Sequence, residues 1–209
     1  MDNSRRSDAR RAGRRAAALL AALALCAVPA QAGTIFLDTF DDEDAPGVTQ
    51  LNYRNLKHWV VAGGAVDLIS SGAHHIDCVR GKCLDMDGTT ARAGTIVSKR
   101  VFPAGAYRIR LDISGNQRIP GSDAITVTFG DLTETFVREG KEAFVTVVRP
   151  ATVGPTGARI VIAHTQDRQD KFGLIIDNVA VEELTLSGDP APDGDDAAAH
   201  GRVLSAARY

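Results

Sequence analysis

Hydrophobic and polar residues alternate with a period of two along several segments of the chain. In the clearest one, four apolar residues alternate with three charged residues from Tyr107 to Ile113. Threonine occupies every second position within Ile125 to Phe129, and a run rich in valine covers Phe144 to Val148. Such alternation places one set of side chains on a core face and the other towards solvent. The pattern therefore predicts β-strands in these segments.

Further strands are predicted at short segments bounded by glycine, proline or charged turns. They are Thr34 to Phe40, His58 to Val61, Ala65 to Ile69, Cys83 to Asp87, Thr95 to Phe102, Thr133 to Val137, Arg159 to Ala163 and Leu174 to Leu184. No stretch sustains the 3.6-residue period of an amphipathic helix. About eleven short strands of this kind predict an all-β fold, an antiparallel β-sandwich of the jelly-roll type.

The amino-terminal residues have the composition of a cleavable export signal. Six arginines lie among the first 15 residues, and an apolar run follows from Ala16 to Pro29. The run is too short to span a bilayer and leads to Ala30-Gln31-Ala32, a small-x-small pattern that suits signal peptidase. The sequence predicts a signal peptide at residues 1–32, cleavage before Gly33, and a secreted or periplasmic protein.

One domain and a tail are predicted after the signal. Residues 33–186 have the size of a single domain with one core. From Ser187 the sequence is rich in glycine, proline, aspartate and alanine, with too little apolar surface to offset the entropy cost of ordering it. Residues 187–209 are therefore predicted to be a disordered tail. No segment after the signal approaches the length of a membrane-spanning helix.

The charge balance argues against a nucleic-acid partner. The chain has 24 basic and 26 acidic residues, and signal removal takes away six basic and two acidic ones. The 18 basic and 24 acidic residues that remain give a net charge near −6. Nucleic-acid-binding proteins usually carry a basic stripe interleaved with aromatic residues, and no such concentration follows Gly33.

Two cysteines, Cys78 and Cys83, remain after signal removal. In an oxidising compartment a disulfide between them is the expected state. The alternative is a metal pair with His74 and His75, but the second Cys-x-x-Cys or His-x-His element of a zinc site is missing.

Asp177 is the most informative polar residue, because it shares the parity of Val179 and Val181, which are predicted to face the core. A buried carboxylate needs a cation or several donors, and an oxygen-rich cluster suits calcium. The acidic segment 38–44 follows the first strand, which can lie beside the last strand in a jelly roll. Two alternatives stay open: a bulge turns Asp177 outward, or backbone amides satisfy it while 41–44 forms a solvated turn.

Few other residues form a candidate site. Trp59 begins an apolar strand and is expected to pack in the core, whereas Tyr53, in the segment before it, is the better exposed platform for a sugar ring. Asp85 and Asp87 are expected to face solvent beside a turn. The sequence contains no Gly-x-Ser-x-Gly elbow or other catalytic signature.

Six short segments, in this order and spacing, resemble a known family. They are Phe36 to Asp41, Trp59 to Ile69, Cys83 to Gly88, Pro103 to Tyr107, Ser114 to Arg118 and Phe172 to Val179. Over most of residues 35–186 they resemble exported bacterial jelly-roll domains of the galactose-binding-like or carbohydrate-binding-module type, as found in PEP-CTERM-associated proteins. The PEP-CTERM sorting tail has no counterpart after Leu186.

The resemblance implies a structural calcium ion between the opening acidic segment and the last strand. Its ligands would be Asp177 and Asp41, with Asp38 as a further candidate. Together with the export signal and the missing catalytic signature, the resemblance favours a non-catalytic binding module for an extracellular or cell-envelope polysaccharide.

Asn116, Gln117 and Arg118 are the second set of ligand candidates beside Tyr53, because amides and guanidinium groups suit sugar hydroxyls. Two other functions are kept as alternatives. One is a structural or adhesive protein of the envelope or matrix that binds another protein. The other is an enzyme that acts on polysaccharide.

Overall fold

The protein is an antiparallel β-sandwich, as the alternation predicts. The computed structural model describes residues 30–44, 49–89, 92–165 and 170–186. The predicted signal peptide, apart from residues 30–32, and the predicted tail at 187–209 lie outside the described residues. Two antiparallel sheets pack face to face, which confirms the all-β class and is consistent with a jelly roll.

Within the described residues the strands are short and follow one another closely. In chain order they are β1 (Ala30–Asp38), β2 (Thr49–Tyr53), β3 (Trp59–Gly63), β4 (Val66–Ser70), β5 (Lys82–Asp85), β6 (Asp87–Gly88), β7 (Arg92–Ala93), β8 (Thr95–Ser98), β9 (Gly105–Ser114), β10 (Ser122–Phe129), β11 (Leu132–Glu139), β12 (Val145–Val153), β13 (Val161–His164) and β14 (Ile175–Leu186). A single 3-10 turn, Ala73–His75, lies between β4 and β5. No helix in these residues is both long and apolar enough to cross a membrane.

The strand order defines a larger and a smaller sheet. The first sheet has the order β12-β9-β14-β5-β4-β2, and β1 pairs with β14 beside this path. The second sheet has the order β11-β10-β13-β8-β3, and β6 and β7 form a separate two-stranded ribbon. The first and last strands are therefore neighbours, as expected for this fold.

Strand β1 begins before the predicted cleavage site. The backbone of residues 30–32 pairs with residues 184–186 of β14, and pairing continues to Asp38. Cleavage before Gly33 is not tested by this geometry and stays a prediction.

The main core lies between the two sheets. From β9 it receives Tyr107, Ile109, Leu111 and Ile113, which are all buried, as the period-two pattern predicts. Trp59 is fully buried in this core, so its predicted packing role is confirmed. A smaller apolar cluster covers the outer face of the first sheet, where the 3-10 turn and the following loop pack on it; its buried members are Ile69, Ile76, Cys83 and Ile175.

Candidate functional site

A polar cleft of about 500 Å³ lies along edge strand β2 and contains the predicted ligand residue Tyr53. Its wall combines three planar amides, a phenol, a guanidinium group and a carboxylate. The lining residues are Asp44, Gln50, Leu51, Asn52, Tyr53, Arg54 and Asn55. The cleft follows the sequence because β2 and the segment after it are mostly polar residues, and β2 is the last strand in the order of the first sheet.

Buried groups behind the cleft fix its backbone. The buried carboxylate of Asp67 accepts a hydrogen bond of 2.6 Å from the amide of Asn52, whose φ of 55° lies in the left-handed region. The Arg54 guanidinium donates to the carbonyl of Gly64 at 2.7 Å. Tyr53 is half-buried, and burial together with the nearby Glu43 carboxylate raises the pKa of its phenol. The backbone at Asn52 and the side chain of Arg54 are therefore held by contacts within the protein.

Asn116 holds a turn together from inside the protein. It is fully buried, its Nδ2 donates to Asp123 Oδ2 at 3.0 Å, and its Oδ1 accepts the backbone amides of Arg118 and Ile119, both at 2.8 Å. All the hydrogen bonds described for its amide are internal. As placed, Asn116 supports the loop and does not present its amide to a ligand in solution.

Gln117 and Arg118 are also engaged by the protein. The Gln117 amide exchanges two hydrogen bonds of 2.9 Å with the backbone of Asp77. The Arg118 guanidinium pairs with Asp85 and lies over the ring of Phe172 at 4.5 Å from its centroid. Glycan binding by these two residues is not tested by this arrangement and stays a prediction.

Gln117 contributes to a second cleft, of about 540 Å³, beside the disulfide loop. The other lining residues are His75, Asp77, Cys78, Lys141, Glu142, Ala143 and Phe144. This cleft shares no lining residue with the cleft at Tyr53. The structure therefore places Tyr53 and Gln117 in two different clefts, and Asn116 and Arg118 line neither of them.

The expectation that Asp85 and Asp87 face solvent is wrong. Their side chains are buried, with exposures of 0% and 1%. Asp85 accepts the backbone amides of Asp87 and Gly173 at 3.0 Å and pairs with Arg118. Burial, opposed by Arg118, raises the pKa of Asp85 to about 8. The loops that cover these carboxylates come from distant parts of the chain, which a local alternation pattern cannot indicate.

Asp177 is fully buried, but on the opposite face from the one that parity predicts. The pairing of β14 with β9 shifts directly after Asp177, and Asn178 in this bulge has a left-handed φ of 47°. Asp177 therefore lies opposite Asp112 on the outer face of the first sheet, whereas Val179 and Val181 face the main core. The bulge is the alternative that the sequence left open.

Backbone amides satisfy much of the Asp177 carboxylate. Oδ2 accepts the amide of Val79 at 3.0 Å and Oδ1 accepts the amide of Asn178 at 2.7 Å. Burial nevertheless raises its pKa to about 7, against the amides of Asn178, Arg80 and Val79, and the charge of Asp41 adds to the rise.

The three predicted calcium ligands do not converge. Asp41 lies near Asp177, and its Oδ1 accepts the amide of Lys82 at 2.6 Å. Asp38 accepts the indole Nε1 of Trp59 at 2.7 Å. The carboxylate oxygens of the three aspartates do not all lie within 4.8 Å of one another. Calcium binding itself stays a prediction.

A different group of possible metal ligands does come together. Ligand atoms of Asp38, Asp42 and His58 all lie within 4.8 Å of one another. Asp38 ends β1, Asp42 lies in the turn behind it, and His58 precedes β3. The sequence places Asp42 in the predicted acidic segment, but it contains no signal that brings His58 to the same place.

Cys78 and Cys83 form the predicted disulfide, with Cα atoms 5.5 Å apart. The bond closes the loop that supplies the amide of Val79 to Asp177. The alternative metal pair with His74 and His75 is thereby excluded in this oxidised form.

The protein resembles known proteins in structure, but its sequence matches no family model and no curated protein significantly. Solved structures that it resembles include the CBM22-1 xylan-binding domain from Paenibacillus barcinonensis Xyn10C, with 11% identity and a TM-score of 0.47 over 74% of this chain and 96% of that one. The C-terminal family 22 carbohydrate-binding module of Clostridium thermocellum Xyn10B has 14% identity and a TM-score of 0.43 over 74% and 95%. The K3 cleaved adhesin domain of Lys-gingipain from Porphyromonas gingivalis has 10% identity and a TM-score of 0.45, over 73% of this chain and 99% of that one.

Proposed function

We propose that this protein is a non-catalytic, extracytoplasmic glycan-binding module whose ligand lies in the cleft at β2. The observation that carries the proposal is the composition of that cleft, where Gln50, Asn52 and Asn55 stand beside Tyr53 and Arg54. Planar amide and guanidinium groups can bond two neighbouring sugar hydroxyls at once, and an aromatic ring packs on the apolar face of a sugar. Both kinds of contact occur here within one open groove.

The size and position of the cleft suit a chain rather than a small enclosed molecule. A volume of about 500 Å³ is in the usual range for ligand sites, but the cleft runs along an open sheet edge. A groove at a sheet edge can accommodate a segment of a longer polysaccharide. Export, and the link to PEP-CTERM-associated proteins that the sequence resemblance implies, belong to the same proposal.

The first test is a glycan array probed with the exported protein, once with calcium and once with a chelator. Binding to a defined glycan class would then be measured for Asn55→Ala and Arg54→Ala. We expect each to weaken binding at least tenfold, because both side chains are exposed in the cleft. Loss of binding in chelator alone would support the proposed calcium ion.

Gln117→Ala in the second cleft is the matched control. It should leave glycan affinity within twofold of the wild type. If Gln117→Ala weakens binding while both cleft variants at β2 bind normally, the ligand lies in the second cleft and our site is wrong. If no glycan binds under either condition, the proposed function is wrong.

A structural or adhesive role is the second candidate, and the outer face of the second sheet favours it. Across all five strands, the central outward positions hold only valine, threonine and alanine. They are Val60, Ala62, Thr95, Val97, Ala124, Thr126, Thr128, Thr133, Thr135, Val137, Val161 and Ala163. These central positions carry no charge, although Lys99 and Arg159 lie at the border beside Val60 and Val97. The centre of the face meets no charge repulsion from its own copy, so the occupant we propose for it is a second molecule of this protein.

Sedimentation of the exported protein over a hundredfold concentration range tests this role. Val60→Lys, at a position that is 51% exposed, should abolish association. Val145→Lys, 40% exposed on the other sheet, should not. A monomer at all concentrations would exclude this second candidate.

A further inference from the structure

A pair of carboxylates and one imidazole meet where the end of β1 approaches the start of β3. Their ligand atoms all lie within 4.8 Å of one another. Two atoms bound to one metal ion at about 2.0 to 2.1 Å are at most about 4 Å apart. Small rotations of the more exposed side chains, Asp42 and His58, would therefore complete a common site on the buried Asp38.

The buried member of the group is Asp38, which is 2% exposed. The basic group beside its carboxylate is the imidazole of His58, within 4.8 Å. The indole of Trp59 and the amide of Phe40 donate to its oxygens but bring no full charge. A buried carboxylate is stabilised by a cation.

The surroundings orient the other two groups. The imidazole of His58 stands edge-on to the ring of Phe36, with centroids 5.7 Å apart. Asp42 is 64% exposed and lies 3.5 Å from the ammonium group of Lys57, which also reaches Asp44 at 3.3 Å. Lys57 can therefore release Asp42 to a metal ion and keep Asp44 as its partner.

We propose that Asp38, Asp42 and His58 bind a divalent transition-metal ion of the Zn²⁺ class. One imidazole nitrogen with two carboxylate oxygens is a donor set for such ions, whereas calcium takes oxygen ligands only. The site shares Asp38 with the calcium site implied by the sequence resemblance but differs from it in the other two ligands and in the metal. It does not depend on glycan binding.

The single tryptophan of the chain gives a direct readout. Trp59 is the only tryptophan, it is fully buried, and it donates to a ligand oxygen of the site. Titration of the metal-free protein with Zn²⁺ should change its fluorescence with saturation, and calorimetry should give the same Kd. Calcium at the same concentrations should not reproduce this fluorescence change. Zinc held elsewhere, for example at His74 and His75, lies outside this indole contact.

Asp42→Asn and His58→Gln should each weaken Zn²⁺ binding at least tenfold. Asp44→Asn is the matched control, since Asp44 is 89% exposed in the same acidic segment and contacts the same lysine. Circular dichroism confirms that the variants are folded. The proposal would be overturned if Zn²⁺ binding is not saturable, or if both ligand variants bind Zn²⁺ with wild-type affinity. It would also be overturned if Asp44→Asn weakens binding as much as the ligand variants do.

Discussion

At the scale of single residues, the structure uses buried carboxylates to fix loops. Asp67 and Asp85 accept backbone amides from loops distant in sequence, and Asp177 does the same for the disulfide loop. A carboxylate provides several acceptor sites. One aspartate side chain can therefore accept hydrogen bonds from several backbone amides that have no partner in a neighbouring strand. This explains why a sandwich with many irregular connections keeps acidic residues inside.

Asn116 fixes a loop in the same way, because its buried side-chain amide forms hydrogen bonds with three groups. In Asn116→Ala the Asp123 carboxylate and the amides of Arg118 and Ile119 lose a partner inside the protein. Groups left unpaired in this way cost about 1 to 3 kcal/mol, so we expect the free energy of unfolding to fall by roughly 2 to 3 kcal/mol. Denaturant unfolding measures the change. Asn55→Ala, at an exposed position, should stay within about 0.5 kcal/mol of the wild type.

Asp177 makes stability depend on pH. Its pKa is about 7 in the folded protein against 3.8 for an ordinary aspartate. A raised pKa means that the folded state holds the proton more tightly, so the stabilisation is fully present below the unfolded value and is lost as pH rises through 7. We expect the melting temperature to fall between pH 5 and pH 7, and Asp85, with a pKa of about 8, to extend the fall beyond pH 7.

Asp177→Asn removes this titration. Its melting temperature should change less between pH 5 and pH 7 than that of the wild type, whatever its absolute stability. Asp77→Asn, at an exposed position of the same loop, should retain the wild-type slope. Identical slopes for Asp177→Asn and the wild type would show that another group carries the pH dependence.

At the scale of elements, alternation predicts the strands that have one buried face. Strand β9 alternates from Ala106 to Leu111 and strand β10 from Ile125 to Phe129, and the sequence predicts a strand at both places. It misses β2, Thr49–Tyr53, because this edge strand is intermediate or exposed at every position and so has no alternation. It also assigns Asp177 to the wrong face, since one bulged residue reverses parity. Of the residues that line the cleft at β2, the sequence indicated only Tyr53 as a ligand residue.

The disulfide loop is the element whose stability can be tested by itself. Cross-linking Cys78 and Cys83 closes a very short loop, for which chain entropy alone predicts about 2 kcal/mol of stabilisation. The double variant Cys78→Ser, Cys83→Ser should lose this amount, and reductant should lower the wild type to the same level without affecting the variant. Hydrogen exchange at the amide of Val79 should become faster, because its bond to Asp177 then depends on an untethered loop. Unchanged exchange would show that other contacts hold the loop.

At the scale of the whole molecule, aromatic rings join the two sheets. Phe102 lies between the sheets, with ring centroids 5.9 Å from Phe36 of β1, 6.0 Å from Tyr107 of β9 and 5.0 Å from Phe129 of β10. The first two partners belong to the first sheet and the third to the second sheet. Phe102 itself lies outside both sheets and pairs only with Ala158 by a backbone bridge. A loop residue therefore forms part of the contact that makes the two sheets one unit.

Phe102→Ala should therefore destabilise the whole sandwich and not one sheet. Removal of a fully buried phenylalanine costs about 3 to 5 kcal/mol, a large part of the stability of a domain this size. Denaturant unfolding followed by both tryptophan fluorescence and circular dichroism should give coincident transitions at a lower midpoint, because Trp59 belongs to the second sheet while both sheets contribute to the dichroism. Phe102→Leu, which keeps most of the apolar volume, should lose clearly less. If the two probes separate in Phe102→Ala, the sheets unfold independently and the aromatic contact does not couple them.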